Sequence, residues 1–135
     1  MTLRNCVLAI ESETVDLAEM VAVLGSAPDS GFQRGEPSGL RGAVRRRSSW
    51  MKELRWEGDV HPGTMGLSSA IEALGDELAQ KVRKLVNAGC AATVAVVQEL
   101  TTDTCSHGLA LSAAATAWMG SAKAGLTVDQ YVDSM

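Results

Sequence analysis

The sequence predicts a two-layer α+β domain, in which a mainly antiparallel sheet of about five strands carries helices on one face. Two observations predict this class. Segments with an apolar residue at every second position alternate with segments whose apolar residues recur at helical spacing. Both short and helical connections join consecutive strands, in the order β-α-β-α-β-β-α-β, which an antiparallel or mixed sheet accommodates. The length of 135 residues suits a single domain over residues 1–135.

The first half of the chain contains two predicted strands and one predicted helix. Leu3–Ser12 alternates apolar side chains and therefore predicts a strand. A helix is predicted to begin at Thr14, a favourable N-cap residue, and to end before Gly25, a favourable residue just after a helix. Ser26–Gly42 is rich in Gly, Pro and Ser and predicts a loop. Ser48–Trp56 follows with the two-residue period of a strand.

The longest predicted element is a helix over about Ser69–Ala88, after a loop at Gly58–Gly66. Its apolar residues recur at helical spacing, and Ser69 and Glu72 have the spacing of a capping box, in which each side chain bonds a free N–H at the helix start. Gly75 lies inside this helix. Since glycine destabilises a helix by up to about 1 kcal/mol relative to alanine, we expect a bend or a close packing contact there.

The last third of the chain returns to strands. Ala92–Leu100 is rich in β-branched residues and predicts a central strand. Thr101–Gly108 is expected to form a hairpin connection to a short strand at Leu109–Leu111. Ser112 is expected to cap an alanine-rich helix, and Leu126–Val132 predicts the final strand.

Composition excludes several classes of protein. Hydrophobic residues make up 46% of the chain and charged residues 21%, which excludes a disordered or fibrous protein. No apolar stretch reaches the length of about 20 residues that a membrane span needs. The three cysteines are too few for a disulfide-rich toxin. Their odd number, together with the lack of an export signal, predicts a reducing, cytoplasmic location.

Charge is distributed unevenly along the chain. The net charge is −4, yet Arg34–Arg55 holds seven basic and two acidic residues and carries +5. The rest of the chain, with five basic and fourteen acidic residues, carries −9. A protein with this balance repels polyanions as a whole, so nucleic-acid binding is expected only as a local property of the basic Arg41–Trp56 segment.

That segment interleaves cations with tryptophans, which is typical of surfaces that contact phosphates and stack bases. The candidate binding residues are Arg45, Arg46, Arg47, Trp50, Lys52 and Trp56. The alternative is structural: the strand tryptophans belong to the core, and the arginines cover the sheet or pair with acidic residues.

Catalytic motifs are sparse. The only cluster of metal-ligand residue types is Asp103, Cys105 and His107, which alternate in one predicted connection, so that their side chains can share a face. They are candidates for a metal or thiol site, and a polar turn is the alternative. The chain has no Gly-x-Ser-x-Gly motif and no phosphate-binding glycine loop. We therefore expect a protein that is not an enzyme and that takes no cofactor.

Protein binding is the function that these observations favour. A small acidic domain with an open sheet can bind a partner protein through that sheet or through Arg34–Arg55. Immunity proteins, which block bacterial toxins, are similar in size and charge. A homodimer formed through an exposed sheet edge is a further alternative, and nucleic acid is the alternative from a different class of partner. No interaction with a membrane is expected.

Several markers along the chain occur in the same order in a known bacterial family. The family has a first strand, a helix ending in Leu-Gly with Pro and Gly after it, and an extended segment centred on tryptophan. A long helix with a small-residue turn follows, then a glycine-containing hairpin, a short helix and a final strand. In this sequence the markers are Leu24-Gly25, Pro28, Gly35, Trp50, Ile71–Gly89, Gly108–Ser112 and Leu126–Tyr131.

Over nearly its whole length the chain therefore resembles the bacterial domain-of-unknown-function family 4279. It departs from the family's pattern at Ser68–Ile71, where the family often has a histidine early in the long helix. The resemblance implies the α+β fold. It leaves the function open, because the family's name records that its function is not established.

Overall fold

The structure, a computed structural model, describes residues 2–39, 42–55, 63–100 and 109–132. Within these residues, five strands and four helices form an α+β fold, as predicted. The elements in chain order are β1 (Thr2–Ser12), α1 (Leu17–Leu24), β2 (Ser30–Phe32), β3 (Ser48–Glu53), α2 (Gly63–Glu72), α3 (Gly75–Asn87), β4 (Ala91–Leu100), α4 (Ala113–Ala122) and β5 (Ala124–Val132).

The strands form one sheet in the order β2-β3-β1-β4-β5, with β1 at its centre. β1 is antiparallel to both of its neighbours, and β2 is antiparallel to β3. β4 and β5 are parallel, because the connection between them contains helix α4 and returns the chain to the end of the sheet where β4 begins. The sheet is therefore mixed but mainly antiparallel, as the sequence predicts.

The helices of the described residues cover one face of the central strands. Leu8 lies opposite Val94 in the register of β1 and β4, and both side chains are fully buried. The next opposed pair, Val7 and Ala95, is half-buried and lies outside the core cluster. The core cluster takes buried side chains from every helix, among them Met20, Leu67, Val82 and Trp118. The prediction that the helices pack on one face is confirmed.

The long predicted helix is in fact two helices. α2 ends at Glu72 and α3 begins at Gly75, whose φ of +81° is left-handed and cannot continue a helix. The carbonyl of Gly75 accepts a hydrogen bond from Trp118 Nε1 at 2.9 Å, which joins the break to α4. The expected bend at Gly75 is confirmed. The expected capping box is wrong, because α2 begins at Gly63, inside the predicted loop, and Ser69 lies in its interior.

The start of α1 also differs from the prediction. The helix begins at Leu17 and not at Thr14. Ser12 Oγ accepts hydrogen bonds from the N–H groups of Thr14, at 3.1 Å, and Val15, at 2.9 Å, and these bonds hold the segment in a turn before the helix.

Five strands are found, but one of them is not the one predicted. β2 forms inside the segment predicted as a loop and pairs with β3. Leu109 and Leu111, predicted as a short strand, instead pack against the core outside any strand. Ser112 caps α4 as predicted, and its Oγ accepts a hydrogen bond from the N–H of Ala115 at 3.0 Å. The predicted connection Thr101–Gly108 lies outside the described residues.

We predict opposite effects of alanine at two glycines. No heavy atom lies near enough to clash with a new Cβ at Gly75 or Gly120. Gly75→Ala should lower the free energy of unfolding by about 1 kcal/mol, because the left-handed backbone disfavours L side chains. Gly120→Ala, inside α4, should raise it by about 0.5–1 kcal/mol. Urea denaturation measures both, and a stabilised Gly75→Ala variant would contradict the assigned helix break.

Candidate functional site

The tryptophan of the basic segment lies in the core. Trp50 is fully buried opposite Ile10, and its Nε1 donates a hydrogen bond to the carbonyl of Ser26 at 3.1 Å. A buried indole with a satisfied N–H has no face to offer to a base. Trp50 is therefore not part of a binding surface, and for this tryptophan the structural alternative is correct.

The other predicted binding residues do not form one surface with it. Lys52 shares the helix-facing side of β3 with Trp50, as the period of two predicts, because it lies opposite Leu8 in the register. It is half-buried and lines a cavity of about 310 Å³ together with Ala70 and Leu74 from the α2 region. Trp56 lies outside the described residues. Lys52 is thus separated from the arginines that precede β3.

Two arginines of the wider basic region Arg34–Arg55 are paired with carboxylates. Arg34 Nε lies 2.9 Å from Asp16 Oδ1. Arg47 lies between two acidic residues, with a nitrogen–oxygen distance of 3.4 Å to Glu11 and 3.8 Å to Glu13. These contacts cross from the segment to the end of β1 and the start of α1. They neutralise much of the local positive charge that the sequence shows.

The other arginines of this region do not form the single cationic cluster that the sequence predicts. Arg55 forms an ion pair with Glu53. The guanidinium of Arg45 lies over the ring of Phe32, 3.9 Å from its centroid. Arg46 is exposed and makes no ion pair within the described part of the chain. Arg45 and Arg46 line the same open cavity of about 460 Å³, which is the part of the predicted site that the structure keeps together.

A side chain that the sequence did not single out organises this region. Gln33 Oε1 accepts hydrogen bonds from the N–H of Leu17, at 2.7 Å, and from Ser48 Oγ, at 3.1 Å. Its Nε2 donates to Asp16 Oδ1 at 2.8 Å. Gln33 therefore caps α1 from a distant segment, while Asp16, the N-cap residue, makes no capping bond with its own side chain. The free N–H groups at the start of α1, which need an acceptor from outside the helix, are the signal that could have indicated such a partner.

The same contacts act on the carboxyl group of Asp16. The hydrogen bond from Gln33, and next that from Arg34, lower its pKa below the ordinary value of 3.8, because both donors favour the charged form. The basic segment and its acidic partners thus join β2, β3 and α1 together. This role is structural.

The predicted metal or thiol site, Asp103, Cys105 and His107, lies outside the described residues. Among the residues that the structure describes, no group of three or more His, Cys, Asp and Glu side chains could hold a metal ion. Cys6 and Cys90 are free and buried. In the same part of the chain, no helix combines the length and the apolar character needed to cross a bilayer.

The most unusual surface is the sheet face that the helices leave uncovered. We define the open face by six uncharged, half-buried side chains that point away from the described helices on the three middle strands: Val7, Ala9, Met51, Thr93, Ala95 and Val97. Beyond Ala9, the same side carries the half-buried Glu11, which lies opposite the fully buried Ser49. The solvated face of an antiparallel sheet normally carries polar residues at alternate positions, and here the middle strands carry apolar or small ones.

Charged residues surround the open face. Glu53 lies opposite Val7 on β3, and Glu11 lies at the end of β1, so both belong to the outer side of the sheet. On β5, the exposed Asp129 lies beside Val97. An apolar centre with a charged rim is the general anatomy of a protein–protein interface. The sequence alone does not reveal this surface. Val7 and Val97 are as apolar as core residues, and the strand register is needed to show that they point away from the helices.

The Asp16 contacts predict a dependence of stability on pH. Because the pKa of Asp16 is lowered in the folded state, its carboxylate stabilises the fold above the ordinary value of 3.8, and this stabilisation is lost as the pH falls through the lowered pKa. Asp16→Asn should therefore be less stable than the wild type at neutral pH, and the difference should shrink below pH 3.8.

Urea denaturation over this range of pH measures that difference. Glu36→Gln is the matched control, because Glu36 is exposed and makes no ion pair among the described residues. A stability difference for Asp16→Asn that stays constant down to the lowest pH would contradict the contribution of the Asp16 carboxylate.

The buried thiols should react slowly in the native protein. Burial raises the pKa of Cys6 from 9.0 to about 11 and also raises that of Cys90. The rise at Cys6 lowers its thiolate fraction at neutral pH by about 100-fold. Iodoacetamide should therefore alkylate Cys6 at least about 100-fold more slowly in buffer than in urea, and mass spectrometry measures the two rates. Equal rates would show that this thiol is accessible.

Comparison with known proteins identifies a family and gives no activity. The family model described as a domain of unknown function (DUF4279) matches residues 1–133 of the chain. No curated protein and no solved structure matches it. The family match spans all nine elements of the fold, from β1 to the end of β5. The chain therefore belongs to the family of domains of unknown function DUF4279.

Proposed function

We propose that the protein is a non-enzymatic, cytoplasmic binding module that binds a partner protein through the open face. The observation that carries this proposal is the apolar character of Val7, Ala9, Ala95 and Val97 on the uncovered side of the two central strands. Covering such side chains removes apolar surface from water, which contributes about 25 cal/mol per Å².

The charge balance of the chain favours a basic partner. The net charge is −4, and Asp129 on the rim makes no ion pair within the described residues, whereas the rim residues Glu11 and Glu53 pair with Arg47 and Arg55. Opposite charges around an apolar centre increase the rate of association and select among partners. A small acidic α/β domain of this kind is similar to immunity proteins in size and charge, so we propose a bacterial toxin as the partner class to test first.

Nucleic-acid binding has less support. Trp50 is in the core, and Arg34 and Arg47 already pair with acidic side chains. Arg46 and Arg45 remain as a small cationic surface, which is less than the extended positive groove that single-stranded nucleic acid requires. A non-enzymatic role is proposed because the sequence contains no arrangement of nucleophile, base and acid that would define a reaction.

The open face can be tested with one charged substitution. Ala95→Glu places a carboxylate at its centre, and we expect capture of the partner to fall by at least about tenfold, because the charge would lose its water in the interface. Ala113→Glu, an exposed position in the first turn of α4 where an acid is favourable, is the control and should bind like the wild type.

The measurement is a tagged pull-down from bacterial lysate, with and without nuclease, compared across the three proteins by quantitative mass spectrometry. Circular dichroism and thermal unfolding should show that Ala95→Glu is folded. A partner retained equally by all three proteins would contradict the open face as the binding site. Capture that disappears with nuclease would replace the proposal with nucleic-acid binding.

A further inference from the structure

The two edges of the sheet are built differently. At one edge, β2 has only three residues and follows Pro28 closely, and the Asp29 carboxylate accepts a hydrogen bond from the N–H of Glu53 beyond the end of the strand. A short strand, a proline and a side-chain bond to the backbone are devices that block further pairing. At the other edge, β5 has nine residues and contains no proline.

The side chains of β5 are unusually apolar for an edge. Leu126 and Val128 lie beside Val94 and Val96 in the register, on the side of the sheet that carries the helices. Val94 and Val96 are completely covered, whereas Leu126 is 40% and Val128 is 36% exposed. Asp129 is the only charged residue of the strand. A long edge with exposed apolar side chains and one charge is a surface for pairing with another strand.

We propose that a second copy of this chain pairs with β5, antiparallel and about a two-fold axis, so that two five-stranded sheets join into one ten-stranded sheet. With the axis at Thr127, Leu126 lies opposite the partner subunit's Val128, and Val128 lies opposite the partner subunit's Leu126. Both exposed apolar residues of each copy then meet on the same side of the sheet. Their cross-strand contacts exclude water from the middle of the pair.

Charge supports a second copy of the chain, paired antiparallel, as the occupant. β5 begins directly after Lys123, whose Nζ bonds the neutral side chain of Asn87, and it carries Asp129 toward its other end. An antiparallel pair therefore brings the basic end of each strand beside the acidic end of the other. With the axis at Thr127, Asp129 lies opposite the partner subunit's Gly125. An axis at Asp129 would instead oppose two like charges.

This dimer engages Asp129 of the rim but none of the six side chains that define the open face, so it does not depend on the proposed binding function. Leu126→Lys should convert the dimer to a monomer, raising the dissociation constant by more than about tenfold, because it places cations in the apolar centre. Val44→Lys, at an exposed apolar position away from β5, should leave the dimer unchanged. Light scattering after size-exclusion chromatography measures the mass of each purified protein.

A cross-link tests the register directly. In a Cys105→Ser background, Thr127→Cys should form an intermolecular disulfide under mild oxidation, because the two copies of residue 127 meet on the axis. Gly125→Cys should not, because its two copies lie four positions apart. A wild type that is monomeric at the highest attainable concentration would overturn the proposal, as would a dimer that survives Leu126→Lys. A disulfide at position 125 and none at 127 would overturn the register.

Discussion

The burial of one side of β1 is the constraint on which the rest of the structure depends. Leu8 and Ile10 are fully buried, and the register places them against Val94 on one neighbouring strand and Trp50 on the other. A strand buried in this way accepts only one pairing, since a slip by one residue would exchange its two faces. The positions of β3, β4 and the helices above them follow from that choice.

The same constraint decides which residues are available for function. It draws Trp50 into the core, where the carbonyl of Ser26 satisfies its indole N–H. It leaves Val7 and Val97 on the opposite side of the sheet, beyond the reach of any described helix. The basic segment serves the attachment of β2, β3 and α1, and the binding function that we propose is assigned to a surface formed by alternate residues of the middle strands.

Local patterns were sufficient to predict β1, β3, β4 and the cap of α4 at Ser112, because alternation and capping are properties of neighbouring residues. Gly75 indicated a bend for the same reason. The features that the sequence did not reveal depend on distant contacts. The bond between Gln33 and α1 links residues sixteen positions apart, and β2 exists because Ser30–Phe32 finds β3 as a partner. The open face required the pairing of three strands to be known.

The central claim is that the open face is accessible in the free protein and covered in the complex. Methyl resonances of Val7 and Val97, measured by nuclear magnetic resonance with a soluble paramagnetic agent, test it most directly. They should relax much faster than those of the buried Val94 and Val96, and this enhancement should disappear when the captured partner is added. If Val7 and Val97 are as protected as Val94 and Val96 in the free protein, the face is already occupied and the account is wrong.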